Sequence, residues 1–304
     1  MTAASARIAT AAAPSGAGTP RRRSLGWLGF SPFAVYVLLF LAVPTVYAVA
    51  SGFFTADGAF TLANFSAFAS PFIVATFVNS FWLSAAVAVI SAVLGAVICL
   101  ALMGMNPDGW VRSVVDSACS ALAQFGGIML AFAFIALMGA QGVLTVWLKQ
   151  TLGVDLNSLT PNGPLLYQVG GLIFPYVYFS VPLMVLTFLP ALAALQTQWA
   201  EAAATLGAPR RVYWTRIAVP LLAPAFGGSA ILVFASAFSS FATAAALIDQ
   251  GGIVPLAIKQ QLTSETIPGV ANTAGVLALG MVVVMAAVMT LYAVLDRRAR
   301  RWRR

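Results

Sequence analysis

The chain has 304 residues, 61% of them hydrophobic and only 8% charged, with a net charge of +8 and no histidine. A soluble globular domain carries roughly 25% charged residues, so this composition belongs to a polytopic membrane protein. Two cysteines, Cys99 and Cys119, lie in or beside apolar blocks, and with no histidine they argue against a disulfide framework, a zinc site and a histidine-based catalytic triad.

Residues 1–24 are rich in Ala, Ser, Thr, Gly and Pro, show no apolar period and end in Arg21, Arg22 and Arg23. They are expected to form a disordered tail. Leu25 to Ala50 has a basic flank and an Ala48-Val49-Ala50 that resembles a signal cleavage site. Its apolar run exceeds the roughly 7–15 residues of a signal sequence and, at about 1.5 Å per residue, can cross a hydrocarbon core of about 30 Å. It therefore reads as an anchor. Five further blocks of membrane-spanning length follow, at Thr76 to Met103, Ser117 to Ala140, Leu165 to Pro190, Pro224 to Ile248 and Ala271 to Leu295. The expectation is an all-α membrane protein with six transmembrane helices within 25–296, connected by segments rich in Gly, Pro, Asn and Asp, and a basic C-terminal segment, 297–304.

The basic residues sort by side. Four lie in the N-terminal tail, Arg112 follows the second span, Arg210, Arg211 and Arg216 follow the fourth, and six arginines close the chain. Only Lys149 and Lys259 fall on the opposite face. The positive-inside rule then places both termini and the connection 191–223 in the cytoplasm. It also answers a nucleic-acid reading of the net charge, because the arginines sit where anionic lipid headgroups lie. The acids Asp57, Asp108, Asp116, Asp155, Glu201, Asp249, Glu265 and Asp296 all fall in connections or at span ends. A charge at a span centre costs about 2.5–3.5 kcal/mol and usually marks an ion or proton path. Uncharged span centres therefore point to an energy source outside the bilayer.

The longest polar interruption in the second half is Glu201 to Pro224. Gln196 to Leu206 contains good helix formers, Gly207 suits a left-handed helix terminus, and Pro209 opens a second, cationic amphipathic helix over Arg210 to Leu222. Glu201-Ala202-Ala203, Gly207 four residues on and, after nine intervening residues, Ile217-Ala218-Val219-Pro220 resemble the EAA motif of ABC importer permeases, with Val219 where that family usually has leucine. The resemblance implies a type I importer permease with the fold of methionine- and maltose-importer subunits. It assigns ATPase coupling to Glu201, Ala202, Ala203, Gly207, Arg210, Arg211, Ile217 and Pro220. Phe241 to Leu247, Gly251-Gly252, Pro255 to Ile258 and the closing LALGMVVVM are similar to permeases of the polyamine, opine, phosphonate and iron branch. Many of those have an acid just before the phenylalanine, where Ser239 and Ser240 stand here.

The expected function is that of a permease subunit in the plasma or inner membrane. It would form half of a path for a solute that is polyamine-like or another small polar compound. The chain lacks the phosphate-binding G-x-x-x-x-G-K-[ST] signature, so ATP and Mg are expected on a separate ATPase dimer and no cofactor or metal on this chain. A second permease subunit, an external solute-binding protein and the lipid bilayer complete the expected partners. Candidate path residues are Asn79, Ser80, Gln124, Ser236, Phe238, Ser239, Ser240, Phe241 and Thr243, since small and polar groups line water-filled cavities. The alternative for each is close helix packing. Two rival functions remain: a secondary transporter, which should show charged or broken midplane sites and repeated halves, and a membrane scaffold, which needs no docking loop.

Overall fold

Apolar stretches of twenty residues can satisfy their backbone N–H and C=O groups in hydrocarbon only by closing them within a helix or a barrel. The computed structural model describes residues 26–301 other than 56, 107–108, 159, 161–162, 249–250 and 264–269, and those residues are mostly helical. Among them the sole β feature is one antiparallel bridge between Phe54 and Phe60. Six segments are long and apolar enough to cross a membrane: Ser31–Ser51, Pro71–Met103, Ile128–Leu152, Val169–Ala193, Arg210–Ser239 and Asn272–Val294. The predicted tail, 1–24, lies outside the described residues.

The chain divides into two units, residues 1–46 and 47–304. The first contains α1 (Gly26–Val37), a π-helical turn (Leu38–Ala42) and the start of α2 (Val43–Ser51). The second contains α3 (Pro71–Met103), α4 (Trp110–Gln124), α5 (Ile128–Met138), α6 (Val143–Leu152), α7 (Ile173–Ala193), α8 (Thr197–Thr205), α9 (Arg210–Tyr213), α10 (Val219–Ser239), α11 (Ala242–Leu247), α12 (Val254–Thr263) and α13 (Val270–Arg301).

The third and fifth spans depart most from their expected outlines. The block 117–140 is not one helix: α4 starts seven residues earlier, at Trp110, and stops at Gln124, and α5 starts at Ile128. Gly127 sits between them at φ +75°, a conformation that ends a helix and suits glycine. The block 224–248 is likewise broken. Helical backbone begins at Arg210, passes through a π turn at Trp214–Ala218 and stops at Ser239, with Ser240 extended before α11. The amphipathic helix expected over 210–222 and the fifth span are thus one run.

The π turn explains how that run survives proline. Pro220 has no N–H and its ring crowds the carbonyl four residues back, which would normally kink the helix. Here the Val219 N–H reaches Trp214 O, five residues back, and the widened turn absorbs the crowding. The same device precedes Pro44, where the Val43 N–H bonds to Leu38 O.

Lipid tails are as apolar as leucine, so helices in a membrane associate through close packing and interhelical hydrogen bonds. The α3 and α7 pair is the spine of the second unit. Gly95 of α3 lets Met184 of α7 close in, since a Cβ there would fall 2.6 Å from Met184 Cγ. Two buried clusters follow one another along this pair. One gathers Leu83, Val87, Leu130, Leu172, Tyr176 and Phe179, and the other Cys99, Leu102, Met184, Phe188, Val233 and Phe238. At the far edge, a Cβ on Gly275 of α13 would fall 2.5 Å from Gly52 N and 2.7 Å from Ala48 O, so two backbones meet there directly.

Candidate functional site

The connection between α7 and α10 folds as a helix, a turn and a second helix. α8 ends in a hydrogen-bonded pattern typical of a glycine terminus: the Gly207 N–H donates to Ala204 O (2.9 Å) and the Ala208 N–H to Ala203 O (3.0 Å). Gly207 takes φ +75° and a Cβ there would meet nothing within 4 Å. Its requirement for glycine is therefore set by the backbone, not by crowding. Pro209 is extended and α9 begins at once after it.

A small core holds the two arms together. Ala203, Tyr213 and Ala218 are buried against one another, with Leu195, Ala200, Ala208 and Trp214 around them. The eight motif positions therefore divide into two groups. Ala203 faces this core and acts within the loop. Glu201, Ala202, Gly207, Arg210, Arg211, Ile217 and Pro220 are all exposed. Leu206, which sequence reasoning did not single out, is 87% exposed at the tip of the turn. A cleft of about 440 Å³ opens between the arms beside Gln196, Ala204, Arg210 and Trp214.

The candidate path residues also divide. Ser80, Phe238 and Thr243 are closed off from solvent and act as framework. Ser80 Oγ accepts the Val254 N–H at the start of α12 (2.8 Å). Phe238 stacks on Phe234 with ring centroids 5.8 Å apart. Thr243 Oγ1 accepts the Gly127 N–H (3.0 Å) and donates to Gly127 O (3.1 Å), tying α11 to the α4–α5 break. By contrast Gln124, Ser239 and Phe241 are exposed, and Asn79, Ser236 and Ser240 are half-buried. The Ser239 hydroxyl bonds back to Ala235 O (2.9 Å), a contact that bends helices, at the last residue of α10. Tyr176, absent from the sequence-based candidates, holds the break by donating its hydroxyl to Ser240 O (2.9 Å). A tyrosine within an apolar span was the available signal, because a buried phenol needs a polar partner.

The segment after α6 is clipped by an ion pair, Lys149 Nζ to Asp155 Oδ2 at 2.8 Å. The Asn157 N–H donates to the other oxygen of Asp155 (3.0 Å). The bond from Lys149, and then that from Asn157, hold the Asp155 carboxyl below its ordinary value of 3.8. A depressed carboxylate pKa contributes stability above the unfolded value and loses it as pH falls through the folded value. The clip is therefore expected to persist from neutral pH down to the ordinary carboxylate range and to open only below it. Limited proteolysis of the 153–158 segment across that range checks this, and release already near neutral pH would contradict it.

The chain is similar to a probable ABC transporter permease protein, y4fN, of Sinorhizobium fredii, with 25% identity over 222 residues. That match takes in 71% of this chain and 37% of the relative, so the chain spans little more than a third of that relative's length. It is also similar to the spermidine/putrescine transport system permease protein PotB of Haemophilus influenzae, with 22% identity over 236 residues, 76% of this chain and 79% of that protein. Among solved structures, a bacterial ABC transporter involved in the import of the acidic polysaccharide alginate superposes with a TM-score of 0.71 at 16% identity, covering 90% of this chain and 96% of that one. The methionine ABC transporter MetNI in an inward-facing conformation gives a TM-score of 0.51 at 15% identity, over 76% and 99%. These likenesses establish the fold as that of type I importer permeases, as the motif implied. Residues 101–301, which hold the loop, the broken helices and four of the six spans, match the family described as binding-protein-dependent transport system inner membrane component, and the chain belongs to that family.

Proposed function

We propose that the chain is the membrane-spanning permease subunit of an ATP-driven importer, and that it takes its energy from a separate ATPase dimer seated on the 191–223 connection. The observation that carries this reading is the continuity of helical backbone from Arg210 to Ser239. A force applied to the exposed Glu201–Leu206 arm passes through the Ala203–Tyr213 core to that run and emerges at Ser240, beside the candidate path. Such coupling requires an element with two discrete arrangements, and the helix breaks at Gly127 and Ser240 supply places where one can form. ATP and Mg belong to the partner, a second permease chain forms the other half of the path, and an external solute-binding protein delivers the cargo to the face carrying Lys149. The cargo is a small polar solute.

The uncharged span centres that disfavoured a secondary transporter also fit this reading. Affinity purification of the full chain from its native membrane tests it. An ATP-hydrolysing subunit and a second permease are expected to accompany the chain in stoichiometric amounts. Isolation of the chain with neither would overturn the assignment.

A further inference from the structure

Lys149 and Lys259 are the two cations opposite the arginines, and the structure uses them differently. Lys149 is spent on Asp155. Lys259 is exposed on α12, with its ammonium 5.9 Å from the centroid of the Phe241 ring, and no carboxylate among the described residues pairs with it. The ring face favours the charged ammonium while leaving its other N–H groups free to bond. Beside the pair lies a hollow of about 230 Å³, where Gly251, Lys259, Gln260 and Thr263 close over an apolar wall. Gly251 lets the Gln260 amide lie close against the backbone, since a Cβ would fall 2.5 Å from Gln260 Oε1. Thr263 spends its proton on Lys259 O (3.0 Å), so the donors left to a ligand are the ammonium and the Gln260 amide.

The position of the hollow links it to transport. Phe241 stands at the break between α10 and α11, next to Ser239 and Ser240. We propose that Lys259, positioned by Phe241, and Gln260 form a binding site for the anionic group, a carboxylate or phosphate-type group, of a small solute at the entrance of the path. The inference rests on the importer reading above and narrows its cargo: a polyamine would meet a like charge at this point. A positive charge, an amide donor and an apolar wall without a described carboxylate suit an anion with a short apolar body.

The charge can be read without knowing the solute. Thr263→Cys places a thiol one helical turn from Lys259, and the native Cys99 and Cys119 are buried, so a thiol reagent reads the introduced site. Rates of modification by the anionic 2-sulfonatoethyl methanethiosulfonate and its cationic 2-(trimethylammonium)ethyl counterpart are compared on the full chain with its co-purifying partners. Lys259 also changes the thiolate fraction, but equally for both reagents, so the ratio cancels it. At about 6 Å in water, one charge shifts each rate about threefold in opposite senses, or about tenfold in the ratio. Lys259→Gln is expected to lower the anionic-to-cationic ratio by about that factor, while Lys259→Arg preserves it. A ratio that favours the cationic reagent in the presence of Lys259, or that is unmoved by Lys259→Gln, overturns the anion site. Failure of an ATPase to co-purify overturns the importer reading instead, so the two failures are distinct.

Discussion

Gly207→Val is expected to uncouple the loop from its ATPase while leaving the membrane-spanning body intact. The left-handed conformation costs a residue with a Cβ about 1–2 kcal/mol, and a β-branched side chain is the least tolerant. That energy corresponds to a roughly 5- to 30-fold loss of the native turn. No atom lies within 4 Å of the position a Cβ would occupy, so the effect comes from the backbone and not from a clash. Gly207→Asn, which tolerates the same conformation, should therefore restore most of the function that valine removes. The readout is the amount of ATPase retained per permease on purification and the ATP hydrolysis it supports. Full retention and normal hydrolysis by the valine variant would remove the turn from the coupling mechanism. At residue 207 β-branching is thus the sensitive feature, more than bulk.

Thr243→Val should destabilise the body itself. Valine has nearly the shape of threonine, so packing at this fully buried position is kept and the two hydrogen bonds to Gly127 are lost. The Gly127 carbonyl keeps a second donor, the Ala131 N–H at 3.2 Å. The Gly127 N–H is left without its partner at a part-buried position. An orphaned buried donor costs about 1–3 kcal/mol, and a membrane offers no solvent to relieve it. Thermal unfolding in detergent should shift downwards for Thr243→Val and hardly at all for Thr243→Ser, which retains the hydroxyl. An unchanged transition in the valine variant would mean that the α4–α5 break is held by packing alone. Because that break and the one at Ser240 are tied through α11, the valine variant should also loosen the region around Phe241.

These two positions describe a division of labour. Ser80, Tyr176 and Thr243 spend their polar groups on the ends of broken helices, which a bilayer would otherwise leave unsatisfied. Ser239, Phe241 and Lys259 remain accessible around the break that this framework stabilises. The fourth-span prolines do not interrupt α7: Pro182 and Pro190 lie inside a continuous helix. Helical backbone instead runs unbroken from the loop through Pro220, made possible by its π turn, and in the proposed coupling this run is the mechanical link.

Much of this protein was legible in one dimension. Apolar run length set the number of spans, because the bilayer thickness is a fixed ruler. The distribution of arginines predicted sidedness, and the glycine and proline at 207 and 209 located the turn, because both are local backbone effects. Which face a residue presents was not legible. Ala202 and Ala203 are chemically identical neighbours, yet one is exposed and the other sealed against Tyr213, since that depends on where a second helix crosses. Ser80 and Ser239 looked equally suited to line a path, and only the arrival of α12 on Ser80 committed its hydroxyl to a backbone N–H 174 residues away. The π turn before Pro220 and the meeting of Lys259 with Phe241 likewise depend on partners distant in the chain or on a bond register that propensity does not encode. Span number and the turn at Gly207 follow from the sequence by itself, because membrane thickness and backbone sterics act residue by residue. The split between framework and accessible path was decided only by tertiary structure, because a buried polar group takes its role from whichever partner the packing brings within hydrogen-bond reach.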